Sequence, residues 1–522
     1  METQQTRLTV EGMSCPSCIQ HVRDALEAWA MGPTQRERAG NSVTGTVTES
    51  SRLVRYLPGI VVQVDGARRA PSAVVRTVWI ASLMLTSCVP SRSAVFGPVD
   101  REAQQRLGLA VAWGTPDPRT DSAVTKLLAQ PLDVEGAVRI ALARNQRLQA
   151  RYEELGIAAS QVADATVLPP TEVDFDYKRA VSGNGSESEL TVVQDLLALI
   201  QIGQRRGAAT AELDAARARS VAATVELAAR VEIAFYDQVA AQQDLELVQT
   251  AFDAAAASAD LVERQHAAGN TTDLALAREQ EQRERMRVEL SRAEQQVADT
   301  RARLGALLGL TAGQRDWRAA GRLPEVPSVP PALDDLDRVA EASSLDAAAL
   351  GAEADAAAAR RHYATVRAIV PALGAGVAVA RREGGDWEVG PAIRIGISLF
   401  DQQQGPRARA GAEERRARSQ LAATRTELIA DVQATRSRVQ KAFAEVRQLA
   451  DVVLPLRKRV LDETVLHYNA MDASPFELLV AKRDMVEVGR QLIDAQRRYW
   501  TAVAQAKVLQ RGGHARATED LP

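Results

Sequence analysis

The sequence predicts a mainly α protein with a small β-barrel portion of the membrane-spanning kind, built as two repeats of one unit: helix, strand, strand, long helical hairpin. Three observations predict it. First, landmarks recur at a constant offset of 202 residues: Pro169 with Pro371, Gly203 with Gly405, and His266-Ala267-Ala268-Gly269 with Tyr468-Asn469-Ala470-Met471. Second, Ile393, Ile395, Ile397 and Leu399 alternate with Arg394, Gly396 and Ser398. That is the period of two of a strand with one aliphatic face. Third, residues Arg205 to Gln265 contain no Pro and a single Gly, Gly207, close to the start. About 60 helical residues reach roughly 90 Å, far beyond a globular helix.

Composition agrees. Of 522 residues 46% are hydrophobic but only 4% aromatic, so Ala, Leu and Val make up the apolar content. Such a mixture suits long helices with close contacts better than one thick core. With 64 basic and 67 acidic side chains the net charge is -3, which argues against a nucleic-acid partner needing a cationic surface. Three cysteines cannot make a disulfide framework. No run of about 18 apolar residues occurs, which excludes an inner-membrane helical bundle.

Along the chain, Arg7 to Glu11 reads as a short strand, and Ile19 to Trp29 as a helix. Between them, Gly12-Met13-Ser14-Cys15-Pro16-Ser17-Cys18 resembles the metal loop of heavy-metal-associated domains. Two thiolates three positions apart, Cys15 and Cys18, suit a soft cation such as Cu(I), Hg(II) or Zn(II). The resemblance covers residues 1–31. Residues 32–73 are polar, featureless and unassigned. Residues 74–88 read as a lipoprotein signal: Arg68, Arg69 and Arg76 precede the apolar Thr77–Leu85, and Leu85-Thr86-Ser87-Cys88 resembles a lipobox with Cys88 as the acylated residue. Residues 1–73 are expected to be an upstream reading frame, with initiation near Val74 or Val75. The alternative is a genuine fusion whose cytoplasmic stub is removed when the signal is cleaved.

Residues 89–130 are expected to be an irregular tether. Repeat 1 spans 131–320. Its first helix opens at Leu132, with Asp133 as N-cap. Val173, Phe175 and Tyr177 mark one strand, Gly183 to Ser186 a turn, and Leu190 to Ile202 the second strand. The long helix then runs to a turn at Gly269-Asn270-Thr271-Thr272, and its return ends near Gly309, a natural C-cap. Pro324, Pro327, Pro330 and Pro331 mark the passage to repeat 2, which spans 321–511. There Leu373, Ala375, Val377 and Val379 alternate with small residues, and Arg381 to Trp387 form a polar hairpin with a Gly-Gly turn. Pro455 should kink the outgoing helix. Gly203 and Gly405 are assigned to tight strand-to-helix turns, and Gly269 and Met471 to the hairpin turns. Residues 512–522 read as a disordered tail.

An aliphatic strand face opposite a polar one is what a lipid-facing barrel wall needs, with Ile393, Ile395, Ile397 and Leu399 toward lipid. Four strands cannot close a barrel, for which eight is the practical minimum. An open edge in lipid costs several kcal/mol per unpaired group, so such a chain must oligomerise.

The whole of 131–511 resembles the TolC-type outer-membrane efflux channels. The likeness lies in Ala141-Leu142-Ala143-Arg144-Asn145, Ile202-Gly203-Gln204-Arg205-Arg206, Leu304 to Leu310, and Ile397-Ser398-Leu399-Phe400-Asp401-Gln402-Gln403-Gln404-Gly405. The last segment is most similar to the branch serving heavy-metal exporters. The resemblance implies a homotrimer with a twelve-stranded β-barrel and a helical tunnel (an α-barrel) in the periplasm of a Gram-negative bacterium. It implies the exit duct of a tripartite pump, with a periplasmic adaptor, an inner-membrane transporter of the resistance-nodulation-division class, and outer-membrane lipid as partners. Such a channel exports metal ions or small toxic compounds, is no enzyme, and is gated at the hairpin turns. Met471 stands where the family often has Gly, so that turn is expected to differ.

No catalytic constellation occurs. His21, His266, His362, His467 and His514 lack ligand spacing, and a solvated helix-end role is the expectation for His266 and His467. No cofactor is expected apart from a soft metal at Cys15 and Cys18. Two other readings remain: a periplasmic coiled-coil scaffold or adaptor without a barrel, and, for the N-terminal fragment alone, a soft-metal chaperone module.

Overall fold

The computed structural model describes residues 5–10, 37–39, 42–48, 63–64, 91–114, 118–179, 185–311, 314, 316–369, 372–382, 385–396 and 403–515. The chain divides into two units, 1–88 and 89–522.

In the first unit β1 (Gln5–Val10), β2 (Glu37–Ala39), β3 (Ser42–Thr48) and β4 (Gln63–Val64) form a sheet of order β2-β3-β1-β4, antiparallel throughout. β1 matches the expected strand. β2, β3 and β4 fall within 32–73, where the sequence showed no pattern. Three short, polar strands supply too few apolar positions for a period to be read. Cys15, Cys18 and Cys88 lie outside the described residues.

Residues 92–107, expected in an irregular tether, form helix α1 (Arg92–Leu107), and α2 (Pro118–Leu128) follows. Val95, Phe96, Val99 and Ala103 of α1 are buried in the main core, and the Phe96 ring meets Tyr152 edge-on at 4.9 Å. The polar residues that suggested a tether form the solvent side of this helix. Ser91 caps its start and Gly108, at φ +72°, its end.

Then comes the first repeat: α3 (Val134–Arg144), α4 (Gln146–Thr166), β5 (Glu172–Arg179), β6 (Ser186–Asp195), a short α5 (Leu196–Ile200), α6 (Ile202–Ala267) and α7 (Asp273–Leu307). Asp133 caps α3 as expected, its carboxylate accepting from the Gly136 N–H at 2.8 Å. The second strand is shorter than expected. It ends at Asp195, whose carboxylate caps α5, so Leu196 to Ile200 are helical. An apolar run of that length does not distinguish strand from buried helix.

The second repeat follows the same plan: α8 (Leu336–Ser343), α9 (Leu345–Ile369), β7 (Ala372–Arg382), β8 (Trp387–Gly396), α10 (Gln404–Gln448), a π-helical turn Leu449–Val453, α11 (Leu454–Asn469) and α12 (Pro475–Gln510). The starts of α6 and α10, and those of α7 and α12, are both separated by the 202 residues of the sequence repeat. Where a kink was expected at Pro455, the helix carries a π-helical turn just before it. A proline lacks the N–H and crowds the carbonyl four residues back, and a widened turn accommodates both.

The core sits where the repeats meet. α6 runs through its centre, packed against α1, α3, α4, α7, α9 and α12. Between Ser220 and Ala241 nearly every residue of α6 is buried, and Ala is the commonest among them, which lets neighbouring backbones approach closely. Tyr152 Oη meets Thr224 Oγ1 at 2.8 Å, and Thr300 Oγ1 donates to Gln238 Oε1 at 2.7 Å, so these buried polar groups are paired. A second core joins α8, α10 and α12 and takes in Ala515, and His514 Nδ1 lies 2.8 Å from Asp431 Oδ2, so residues 512–515, expected in a disordered tail, pack against it instead. Among the described residues no helix is long and apolar enough to cross a membrane.

Candidate functional site

Two regions of the second unit face outward with unusual chemistry: the sheet and the hairpin ends. The sheet has order β5-β6-β7-β8, all antiparallel, and the β6–β7 pair joins the hairpin of one repeat to that of the other. Along one row of the ladder Phe175 pairs with Leu190, Leu190 with Val379, and Val379 with Val389. Two residues further, Val173, Val192, Val377 and Pro391 line up the same way. Because strand side chains alternate, all of these share one face with Ile393 and Ile395. That face is bare: Ile393 is 72% and Ile395 61% exposed. Ile397 and Leu399 lie outside the described residues. The row at the hairpin end reads Tyr177, Ser188, Arg381, Trp387, with the Arg381 guanidinium 5.1 Å from the Trp387 ring centre. An apolar band ending in Tyr and Trp matches the aromatic girdle of a membrane-spanning barrel.

Apart from Val193, the other face is largely charged or small. β5 presents Glu172, Asp174, Asp176 and Lys178; β6 presents Glu187 and Glu189; β8 presents Glu388 and Arg394. On β7 the same face carries Gly374, Gly376, Ala378 and Ala380. A Cβ at Gly376 would overlap the Val192 carbonyl, so the absent side chain is required by the close approach of β6. The sheet curls toward its polar face. Arg394 accordingly reaches Asp174, with Nη2 2.8 Å from Oδ2, and pairs with Glu172 as well. Trp387, Val389 and this cross-sheet ion pair were not singled out from the sequence. Trp387 reads there as part of a polar hairpin, and nothing local tells which strand lies opposite Arg394.

At the far end each long hairpin turns on one left-handed residue, Gly269 (φ +76°) and Met471 (φ +62°). In both, the N–H one residue later returns to the carbonyl five residues back: Asn270 to Gln265 at 2.8 Å and Asp472 to His467 at 2.9 Å. That is the Schellman arrangement in both repeats. The Met471 turn, expected to differ, has the same geometry. The turn histidines pair with acids, His266 Nε2 with Asp273 Oδ1 at 2.6 Å and His467 Nδ1 with Asp472 Oδ2 at 2.9 Å. Ser474 and Glu477 form a capping box on α12, and the backbone and hydroxyl of Ser474 hold the Glu477 carboxyl below its usual range. Among the described residues no three metal-ligating side chains come together.

The assignment of Gly203 and Gly405 to the strand-to-helix turns is corrected. Both sit at the second position of their helices, with no positive φ and open space where a Cβ would stand. The left-handed residue before α10 is Gln403, at φ +52°, and in repeat 1 the short α5 makes the passage instead.

Between these regions the helices of the two repeats are tied by ion pairs one heptad apart. Arg490 grips Asp244 with two nitrogens, at 2.6 and 3.2 Å, and Arg497 Nη1 lies 3.1 Å from Asp237 Oδ1. Away from these contacts Leu261, Leu274, Val288, Leu456, Val460 and Leu466 leave apolar side chains exposed along the hairpins.

No family model matches the chain. It is 24% identical over 413 residues to the cobalt-zinc-cadmium resistance protein CzcC of Cupriavidus metallidurans, covering 76% of this chain and 95% of CzcC. The outer membrane protein VceC of Vibrio cholerae is similar with a TM-score of 0.61 at 18% identity, covering 73% of this chain and 96% of VceC. The CmeC outer membrane channel of Campylobacter jejuni is similar with a TM-score of 0.59 at 13% identity, covering 81% of this chain and 96% of CmeC.

The fold is that of the TolC-type outer-membrane channels. In channels of this fold a sheet such as β5–β8 belongs to a β-barrel, and hairpins such as α6–α7 and α10–α12 to a helical barrel.

Proposed function

We propose that this chain is the outer-membrane channel of a tripartite efflux system, carrying metal ions or small toxic compounds from the periplasm to the exterior of a Gram-negative cell. One observation carries the reading: a four-stranded sheet with a bare aliphatic face, an aromatic row at its rim and a charged opposite face, mounted on two helical hairpins. A lipid-facing wall needs the first, a water-filled lumen the second. Three copies would supply a twelve-stranded barrel, above the eight-strand minimum, with a continuous helical tunnel below it. The tunnel would dock a periplasmic adaptor and, through it, an inner-membrane transporter of the resistance-nodulation-division class. The channel itself does no chemistry and needs no cofactor. Acylation of Cys88 would add a lipid anchor. Likeness to CzcC, a cobalt-zinc-cadmium resistance protein by name, favours divalent metal cargo.

The reading is tested by fractionation and by survival. The protein should leave the outer membrane only with detergent, run as a crosslinkable trimer, and carry lipid on the peptide that begins at Cys88. A deletion strain should lose tolerance to cobalt, zinc or cadmium and recover it with the intact gene. Recovery of the chain from the soluble periplasm as a monomer would support the scaffold reading instead. The exposed Ile393 and Ile395 speak against a soluble scaffold. Cys15 and Cys18 would make a separate soft-metal site, tested by Cu(I) titration of the full chain against the Cys15→Ser, Cys18→Ser variant.

A further inference from the structure

At their helix-proximal ends the two edges of the barrel sheet carry opposite charge and reach for each other within one protomer. β5 and β8 are the outermost strands, and among the described residues neither has a second partner strand. On the polar face β5 carries Glu172, Asp174 and Asp176 with Lys178 at its hairpin end, while β8 carries Arg394 with Glu388 at its hairpin end. Arg394 nevertheless pairs with Asp174, at 2.8 Å, and with Glu172. In a flat sheet the outer of four strands stand about 14 Å apart, so the contact exists only because the sheet curls.

A ring of copies brings the same edges together differently. The four strands alternate in direction, so β8 of one copy runs antiparallel to β5 of the next, and head-to-tail contacts of this kind close into a ring. The edge N–H and C=O groups are then paired, and the polar face continues across the junction. Arg394 stands one strand spacing, about 4.8 Å, from the neighbouring β5 instead of three. We propose that in the assembled channel Arg394 of each copy pairs with Glu172 and Asp174 of the next copy, so that this ion pair closes the seam between protomers. The contact within the protomer is the self-paired form of the same interaction. Exchange leaves no charge unpaired, while it covers two open edges. The proposal rests on the reading of the chain as a closed barrel of several copies.

Two full-length chains with different tags test it by co-expression and detergent extraction. One carries Arg394→Glu; the other carries Glu172→Arg and Asp174→Arg. Each alone sets like charges against each other at every seam. Mixed oligomers restore attraction at the junctions between unlike chains and should exceed random mixing about threefold, as complementary and repulsive pairs together select partners. A single chain with all three reversals should recover the heat resistance of the wild-type oligomer, which shows that the reversed residues still fold. Random mixing would overturn the proposal, leaving the pair within each chain, while the channel reading stands. A wild-type chain that stays monomeric would overturn both.

Discussion

Gly269 and Met471 adopt the same left-handed backbone, φ +76° and +62°, at the same point of the two repeats and 202 residues apart. One is the residue that conformation favours. The other is a long side chain, 95% exposed, that buries nothing within the protomer. A non-glycine residue in that region costs about 1 kcal/mol. Met471→Gly should therefore tighten its turn by somewhat under 1 kcal/mol, the gain being reduced by the freer unfolded chain, and Gly269→Ala should weaken the other by about 1 kcal/mol. Rates of limited proteolysis at the two turns read both effects. A slower-cut Gly269→Ala turn would contradict them.

Gly203 and Gly405 have ordinary helical surroundings, whereas Gly309 has φ +68° and a Cβ there would stand 2.7 Å from the Arg144 carbonyl oxygen. Gly203→Ala and Gly405→Ala should be neutral or stabilising by up to about 1 kcal/mol, and Gly309→Ala destabilising by more than that. Thermal melting of the three variants ranks them, and loss of stability in the first two would restore a turn role for those glycines.

Ile393 lies on the bare face of the sheet, and Thr191 on the opposite one. Ile393→Arg should cost about 2–4 kcal/mol in the membrane and sharply reduce the outer-membrane fraction, because a cation at that depth loses its water. Thr191→Arg, on the charged face, should leave that fraction unchanged. Equal losses in both variants would mean that the two faces are not lipid and water.

Burial pushes the Glu226 carboxyl up from its ordinary 4.5 to about 7, with Asp346 adding to the rise and Arg230 opposing it. The folded chain therefore holds a proton that the unfolded chain releases above about pH 4.5. Stability should fall as pH rises from about 4.5 to 7, by at most about 3 kcal/mol from this group, and level off above that. Asp346, raised by its own burial, acts in the same direction. Glu226→Gln should flatten the slope, leaving the variant relatively more stable at pH 8 than at pH 5. Melting in detergent across that range measures it, and an unchanged slope would show Glu226 ionised throughout.

The repeat, the long helices, the strand alternation at Ile393 and Ile395, the Asp133 cap and the turns at Gly269 and Met471 were all legible in the sequence, because each is set by residues a few positions apart. What neighbours what was not. The sheet exists because β6 pairs with β7 across nearly two hundred residues, and only its curl carries Arg394 to Asp174. The polar segment after residue 91 becomes α1 because the core formed by α3, α4 and α6 offers its four apolar side chains a place to bury. Gly203 drew attention by its recurrence, yet the turn is made by α5 in one repeat and Gln403 in the other. Local periodicity and capping act through backbone geometry and are written in order along the chain. Sheet partners, curvature and the burial of a weakly patterned helix depend on surfaces that exist only once distant segments have met.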